Sequence, residues 1–162
     1  MEQIKKVVRP ALCLDLDGTV RRSKSGKTFI EDAADIELMP GIEEILKLYV
    51  DKGYLILGIT NQAGIAHGFK TVQEVKDEIV WTAELFKEST FHHILFSPSD
   101  EKGSVFPYNY RSLSRKPSIG MLVEMEKFMW DQGIIIDWDN SLFVGDRPED
   151  EKCAANAKID FN

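Results

Sequence analysis

Apolar residues along this chain fall into two kinds of pattern that alternate from one end to the other. Short continuous runs of strand length start at Ala11, at Tyr54 (to Ile59), at Phe91 (to Phe96), at Ser141 (to Gly145) and at Lys158 (to Phe161). Such runs are the signature of parallel strands covered on both faces. Between them the apolar positions recur at helical spacing. Ile42, Ile45, Leu46 and Tyr49 follow Pro40-Gly41 and stop at Gly53. Val72, Val75, Ile79, Ala83 and Phe86 follow Thr71-x-x-Glu74, a capping box, in a helix expected to run to about Lys87. Met121, Leu122, Met125, Phe128 and Met129 follow Ser118, a candidate cap, and stop at Gly133. A fourth helix is expected from Pro148, where Glu149, Asp150 and Glu151 suit a helix N-terminus. Strands alternating with helices predict right-handed βαβ crossovers. The expected fold is α/β, a Rossmann-like three-layer sandwich around a mostly parallel five-stranded sheet.

Three stretches break this rhythm. Residues 1–9 are mixed and are expected to lead into the first strand. Residues 20–39 begin with the basic Arg21-Arg-Ser-Lys-Ser-Gly-Lys27 and then turn acidic; the interval is too long for an ordinary βα loop. It predicts a flap over the strand ends, a hairpin turning at Ser25-Gly26. Its Ser-Gly-Lys-Thr invites a P-loop reading, which fails because that motif needs glycine where Arg21 stands. Residues 97–117 are irregular, with Pro98, Gly103, Pro107, Tyr108 and Tyr110. With no larger insertion, the whole of 1–162 is expected to form one domain, with these two segments in place of a large cap.

Composition narrows the class. Hydrophobic residues make up 43% of 162 and charged residues 29%, as in a globular protein able to bury one sizeable core. The net charge of −7 speaks against a broad nucleic-acid footprint, which would be basic. Cys13 and Cys153 lack metal-ligand spacing and suit a reducing compartment. No apolar run approaches the roughly 18 residues of a membrane span. These features together predict a cytoplasmic protein that does not engage a membrane. Oligomeric state has no signal here.

Each strand run ends in a polar cluster. Asp15 and Asp17 follow the first, Thr60 and Asn61 the second; Lys116 lies in the loop after the third, and Asp146 and Asp150 follow the fourth. An Asp-x-Asp-Gly alone would mark only an acidic turn. In a parallel sheet, however, all four ends share one edge, the edge where such folds bind ligands. Three carboxylates drawn together repel unless a cation lies among them, and hard oxygen donors favour Mg²⁺. A hydroxyl, an amide and helix-start N–H groups suit phosphate, and a lysine there neutralises charge in phosphoryl transfer. One carboxylate can attack phosphorus and a second can pass a proton to the leaving oxygen.

Asp15-Leu-Asp-Gly-Thr19, Thr60, Lys116 and Gly145-Asp146 with Asp150 resemble the four motifs of the haloacid dehalogenase (HAD) superfamily of phosphatases. Thr60-Asn-Gln-Ala-Gly-Ile, Arg115-Lys-Pro-x-x-Gly-Met121 and Gly145-Asp-x-x-x-Asp150 are similar to the histidinol-phosphatase and heptose-bisphosphate phosphatase branch. Polynucleotide 3′-phosphatases carry a similar set. The resemblance spans nearly the whole chain. It implies a Mg²⁺-dependent phosphomonoesterase working through an aspartyl-phosphate. Asp15 would be nucleophile, Asp17 general acid/base, and Thr60 and Lys116 would hold the phosphoryl group, with Asn61 close by. Asp15, the backbone carbonyl of Asp17, Asp146 and Asp150 would serve the metal. Arg115 would reach a second phosphate. The heptose-bisphosphate branch often carries a Cys/His zinc loop; residues 97–114 have neither residue, so no structural zinc is expected. Asp-Leu-Asp in place of Asp-Arg-Asp matches the polynucleotide enzymes. Members typically continue past the fifth strand, so the family's usual length would extend beyond Asn162.

The expected substrate is a small phosphorylated metabolite, a sugar phosphate or bisphosphate or histidinol phosphate. The alternatives are a nucleic-acid 3′ end, favoured by the basic flap with Arg22 as a contact, and a non-catalytic phosphate-binding module. His67, His92, His93, Trp81 and Trp130 are expected to be packing or surface residues.

Overall fold

The computed structural model describes residues 5–88 and 90–162. Its centre is a five-stranded sheet, all parallel, built from β2 (Ala11–Leu14), β5 (Leu55–Asn61), β6 (His93–Ser97), β8 (Leu142–Val144) and β9 (Asp160–Phe161). The order across the sheet is β6-β5-β2-β8-β9, so the first motif stands at its middle. The α/β architecture expected from the alternating patterns is the one observed.

The sequence of β2 explains the layering. Successive side chains point to opposite faces of a sheet, and all four residues of β2 are buried. Ala11 and Cys13 pack into a cluster with Leu55, Leu57, Met121, Met125, Met129, Cys153 and Ala154, beneath α3 (Gly120–Asp131) and α4 (Pro148–Ala157). Leu12 and Leu14 join Leu16, Ile42, Leu46, Ile56 and Phe86 on the other face, under α1 (Ile42–Asp51) and the end of α2 (Val72–Glu84). Both cysteines are buried and free.

Several boundaries differ from expectation. Of the expected lead-in, residues 1–4 lie outside the described residues, and Val7–Arg9 forms a strand, β1, paired in parallel with β7 (Ile134–Ile136). Three-residue strands carry too little period to be seen in sequence; their pairing is tertiary. β5 runs two residues further than expected because Thr60 and Asn61 still pair with Phe96 and Ser97. Thr71 does make its capping box with Glu74, but α2 ends at Glu84. Ser118 caps nothing, since α3 starts after Ile119 with no side-chain cap. Ile45, expected in the core, is half exposed.

Residues 20–39 contain a hairpin, β3 (Arg21–Ser23) against β4 (Ile36–Leu38), but it does not turn tightly at Ser25-Gly26: residues 24–35 join the strands, with a turn of 3-10 helix at Ala33–Asp35. Trp81 and Trp130 lie at the surface. His93 stacks on Phe128 at 3.8 Å between ring centroids, and His92 accepts the Ile56 amide through Nδ1. No helix among the described residues is long and apolar enough to cross a membrane.

Candidate active site

β2 ends at Leu14, and the Asp15 amide donates to Val144 O at 3.1 Å, so Asp15 leaves the sheet beside the end of β8. That brings it to Asp146 and Asp150. One oxygen from each of Asp15, Asp146 and Asp150 can lie within 4.8 Å of the others. The approach is set by two glycines. Gly18 has φ +87°, open to glycine without strain, and a Cβ there would sit 2.2 Å from Asp146 Oδ2. A Cβ on Gly145 would meet the Asp150 side chain at 2.5 Å.

Lys116 fills the centre. Its Nζ donates to Asp15 Oδ1 at 2.9 Å, to Asp150 Oδ1 at 2.6 Å and to the Ile59 carbonyl at 2.9 Å. All three residues are buried, Asp150 completely. Burial pushes the Asp15 carboxyl up to about 7 against the pull of the Lys116 ammonium, and Asp150 adds to the rise. Burial disfavours the Lys116 charge, but Asp15 and Asp150 outweigh it and hold its pKa above the usual lysine value. Asp150 Oδ2 accepts the Arg147 amide at 3.1 Å at the start of α4. With Oδ1 on Lys116, both its oxygens are engaged within the protein.

Thr60 is buried, and its hydroxyl accepts Gln62 Nε2 at 2.9 Å. The same Gln62 amide donates to Asp17 Oδ2 at 2.9 Å, and Arg21 Nε donates to Asp17 Oδ1 at 2.7 Å. Burial would raise the Asp17 pKa, but the Arg21 guanidinium and the Gln62 amide hold it below the usual carboxylate value. Asn61 clasps the backbone of Lys116 in both directions: its Nδ2 donates to Lys116 O and its Oδ1 accepts Lys116 N, each at 3.0 Å.

Asp15, Asp17, Thr60, Asn61, Lys116 and Asp150 line one small cavity of about 20 Å³, joined by Arg147 and Glu149. Three expected site residues do not line it: Asp146, which still reaches Asp15 and Asp150 with one oxygen, and the expected substrate contacts Arg22 and Arg115. Arg22 pairs with Glu37 across the hairpin at 2.8 Å. Arg115 donates to Ser99 O at 3.3 Å and lies 3.8 Å from Asp100 Oδ2. His67, expected to be incidental, meets Asp100 Oδ2 at 3.0 Å. Together with amides of Ser104 and Val105 on Ala66 O, this pins the 97–117 loop to the loop after β5. A wider cleft of about 500 Å³ opens between these loops and α2, lined by Ile65, Phe69, Lys70, Val105 and Tyr108.

Sequence reasoning missed Arg21, Gln62 and Arg147. In sequence Arg21 reads as part of the basic flap, yet it is fully buried. A signal existed on α2: Glu78 and Thr82, one turn apart, share the buried face with Val75. Two polar positions on a buried stripe call for a polar partner.

The model of the polynucleotide kinase 3 phosphatase family matches residues 11–162. A D-glycero-D-manno-heptose-1,7-bisphosphate 7-phosphatase of Chlorobaculum tepidum is 30% identical over 150 residues, 91% of this chain and 74% of that protein. Its Escherichia coli K12 counterpart, named D-glycero-beta-D-manno-heptose-1,7-bisphosphate 7-phosphatase, is 28% identical over 156 residues, 93% and 75% of the two chains. Among solved structures, a Mesorhizobium loti protein described as HAD-like phosphatase superposes with a TM-score of 0.81 at 28% identity, over 98% of this chain and 73% of the other. The fold is also that of a B. bronchiseptica D,D-heptose 1,7-bisphosphate phosphatase crystallised with magnesium and phosphate, at TM-score 0.75 and 19% identity over 94% and 78%.

Proposed function

The chain belongs to the polynucleotide kinase 3 phosphatase family and is a HAD-type phosphatase, and from that premise we propose that it hydrolyses a small sugar phosphate or bisphosphate through an aspartyl-phosphate. The observation that carries the reading is the buried Lys116 ammonium between Asp15 and Asp150, with Asp146 alongside. Asp15 Oδ2, the oxygen Lys116 does not hold, attacks phosphorus as the ester P–O bond breaks. Asp17, held as a carboxylate in the free site by Arg21 and Gln62, takes up the proton of the incoming phosphate monoanion and gives it to the departing oxygen. It then takes a proton from the water that attacks the acyl phosphate, and inorganic phosphate leaves with Asp15 restored. Lys116 and Thr60 hold the phosphoryl oxygens, and Asn61 acts through the backbone of Lys116 rather than on substrate.

Magnesium suits the donor set: hard carboxylate oxygens drawn together beside a Gly18 that leaves no room for a Cβ. The carboxylates of Asp15 and Asp146 and the carbonyl of Asp17 would hold it, with Asp150 in support. Bound there, the ion neutralises charge on the transferring phosphoryl group. We assign a second phosphate on the substrate to Arg147, which lines the cavity and lies 4.0 Å from Glu149, because Arg115 stands outside the cavity, donating to Ser99 O.

The acids of the hairpin argue against a nucleic-acid 3′ end as substrate. Arg21 is buried on Asp17, Arg22 pairs with Glu37 and Lys27 with Glu31. That neutralises much of the run a phosphate backbone would use. The test is phosphate release with Mg²⁺ from heptose bisphosphate, histidinol phosphate, an aryl phosphate and a 3′-phosphorylated oligonucleotide, with Asp15→Asn as control. Turnover highest on a sugar phosphate and abolished by Asp15→Asn is expected. Preference for the oligonucleotide, falling steeply with salt, would overturn the substrate assignment. Release from nothing in the panel would favour a phosphate-binding module.

A further inference from the structure

Arg21 has no solvent-exposed surface, and its guanidinium is met by protein on each side. Nε donates to Asp17 Oδ1 at 2.7 Å; Nη1 donates to the Thr82 hydroxyl at 2.8 Å and to the Glu78 carbonyl at 3.3 Å; Nη2 lies 3.9 Å from Glu78 Oε2. Glu78 is in turn gripped by Lys70 Nζ at 2.8 and 2.9 Å. Charges therefore alternate from Asp17 through Arg21 and Glu78 to Lys70, and Lys70 faces the wider cleft beside the hairpin.

A buried ion pair of this kind contributes little net stability compared with apolar residues filling the same space. Its value lies in geometry. The guanidinium is a planar fork whose donors keep fixed angles to one another; Nη1 is anchored on α2 by two hydrogen bonds, and Nη2 faces the Glu78 carboxylate without bonding to it. The third points at Asp17 from a direction that α2 dictates. Among the described residues, the other Asp17 oxygen, Oδ2, accepts a hydrogen bond only from the neutral amide of Gln62, at 2.9 Å. A charge-assisted bond is about twice as strong as a neutral one, so the two oxygens are unequal.

We propose that Arg21 is a positioning residue for phosphoryl transfer: it captures Oδ1 of Asp17 and turns Oδ2 toward the reacting ester as the oxygen that exchanges the proton, while Glu78 and Thr82 on α2 hold Arg21. The inference rests on the phosphatase reading above and deepens it. In the first half-reaction the proton leaves Oδ2 for the departing alkoxide as the P–O bond breaks. In the second, Oδ2 receives a proton from water as the water oxygen bonds to phosphorus and the Asp15–phosphorus bond breaks. Arg21 keeps its proton and its bond to Oδ1 throughout.

Leaving-group dependence tests this, because a nitrophenolate departs without a proton and an alkoxide does not. General acid catalysis contributes about 10²–10⁴-fold. Arg21→Met is expected to lower kcat on an alkyl phosphate by about 10–100-fold, with KM within about threefold, and kcat on p-nitrophenyl phosphate by less than about threefold. In an Asp17→Asn background the same change should cost no more than about twofold, because the two residues act as one unit. Equal falls on both substrates, or a full further fall in the Asp17→Asn background, would overturn the proposal while leaving the phosphatase reading intact. A wild type inactive on both phosphates would overturn that reading, and the proposal with it. Should Arg21→Met fail to fold, Thr82→Val and Glu78→Gln carry the test: a larger fall on the alkyl phosphate supports the assignment, and equal falls refute it.

Discussion

Replacing Lys116 with methionine isolates the electrostatics of the centre. The methionine keeps most of the length of the side chain and removes the charge and three hydrogen bonds, to Asp15, Asp150 and the Ile59 carbonyl. Deleting a whole buried ion pair often costs little, but deleting one partner leaves an uncompensated charge and costs about 3–5 kcal/mol. Here one cation serves two buried carboxylates, Asp15 and Asp150, so the upper part of that range applies. Each kcal/mol moves Tm by about 2–4 °C in a chain of this size, which for about 4–5 kcal/mol gives a fall of about 8–20 °C. Against a typical total of about 5–15 kcal/mol the protein stays folded at room temperature. Magnesium should offset part of the loss, since a divalent cation at Asp15 and Asp146 supplies the missing positive charge. Thermal unfolding followed by circular dichroism, in EDTA and in saturating Mg²⁺, measures both quantities. The gap between wild type and Lys116→Met should be wide in EDTA and narrower with the metal, and kcat should fall about 10²–10³-fold. A Tm within about 2 °C of wild type in EDTA would refute the reasoning, because two buried carboxylates that have lost their shared cation cannot be that cheap.

Magnesium at about 100 times its Kd should stabilise the wild type by about 2.7 kcal/mol, a rise of about 5–11 °C in Tm, and Asp146→Asn should abolish the rise; calorimetry with and without the ion checks it. Gly18→Ala combines a left-handed backbone with a Cβ 2.2 Å from Asp146 Oδ2, so it should displace that carboxylate and weaken Mg²⁺ binding by titration calorimetry. Thr71→Ala removes the side-chain half of the capping box on α2 and should cost about 1 kcal/mol, seen as a lower urea midpoint with an unchanged slope.

The parts of this molecule that were legible in its sequence are those governed by local period. β2 is apolar without interruption because both its faces are covered, and its end is marked by Asp15 at the point where burial gives way to the cavity. The same logic located Thr60 near the end of β5, Lys116 in the loop between β6 and α3 and Asp150 on the helix after β8, and the structure brings them into contact with one another or with one cavity. What escaped was set by partners distant in sequence. Arg21 finds Thr82 and Glu78 some 60 positions along the chain, and Asn61 finds Lys116 at a separation of 55. Polar groups must be satisfied when buried, but nothing in their own neighbourhood says by what.

This difference bears directly on the basic run from Arg21 to Lys27. Taken locally, it is a stripe of positive charge next to a phosphate site, the footprint a nucleic-acid backbone would use. In three dimensions three of the four cations in the stripe meet acids: Arg21 turns inward to Asp17, Arg22 turns across the hairpin to Glu37, and Lys27 turns to Glu31. The last two pairs are exposed, and exposed pairs contribute little to stability; their effect is on the field a substrate meets. A strand-binding enzyme gains affinity by releasing counterions from several phosphates, which requires cations that are not already matched. A small sugar phosphate needs only the cations lining the cavity itself, Lys116 and Arg147. On the proposed function, Arg21 serves Asp17 from within the fold, and the pairing of Arg22 and Lys27 leaves recognition to the cavity.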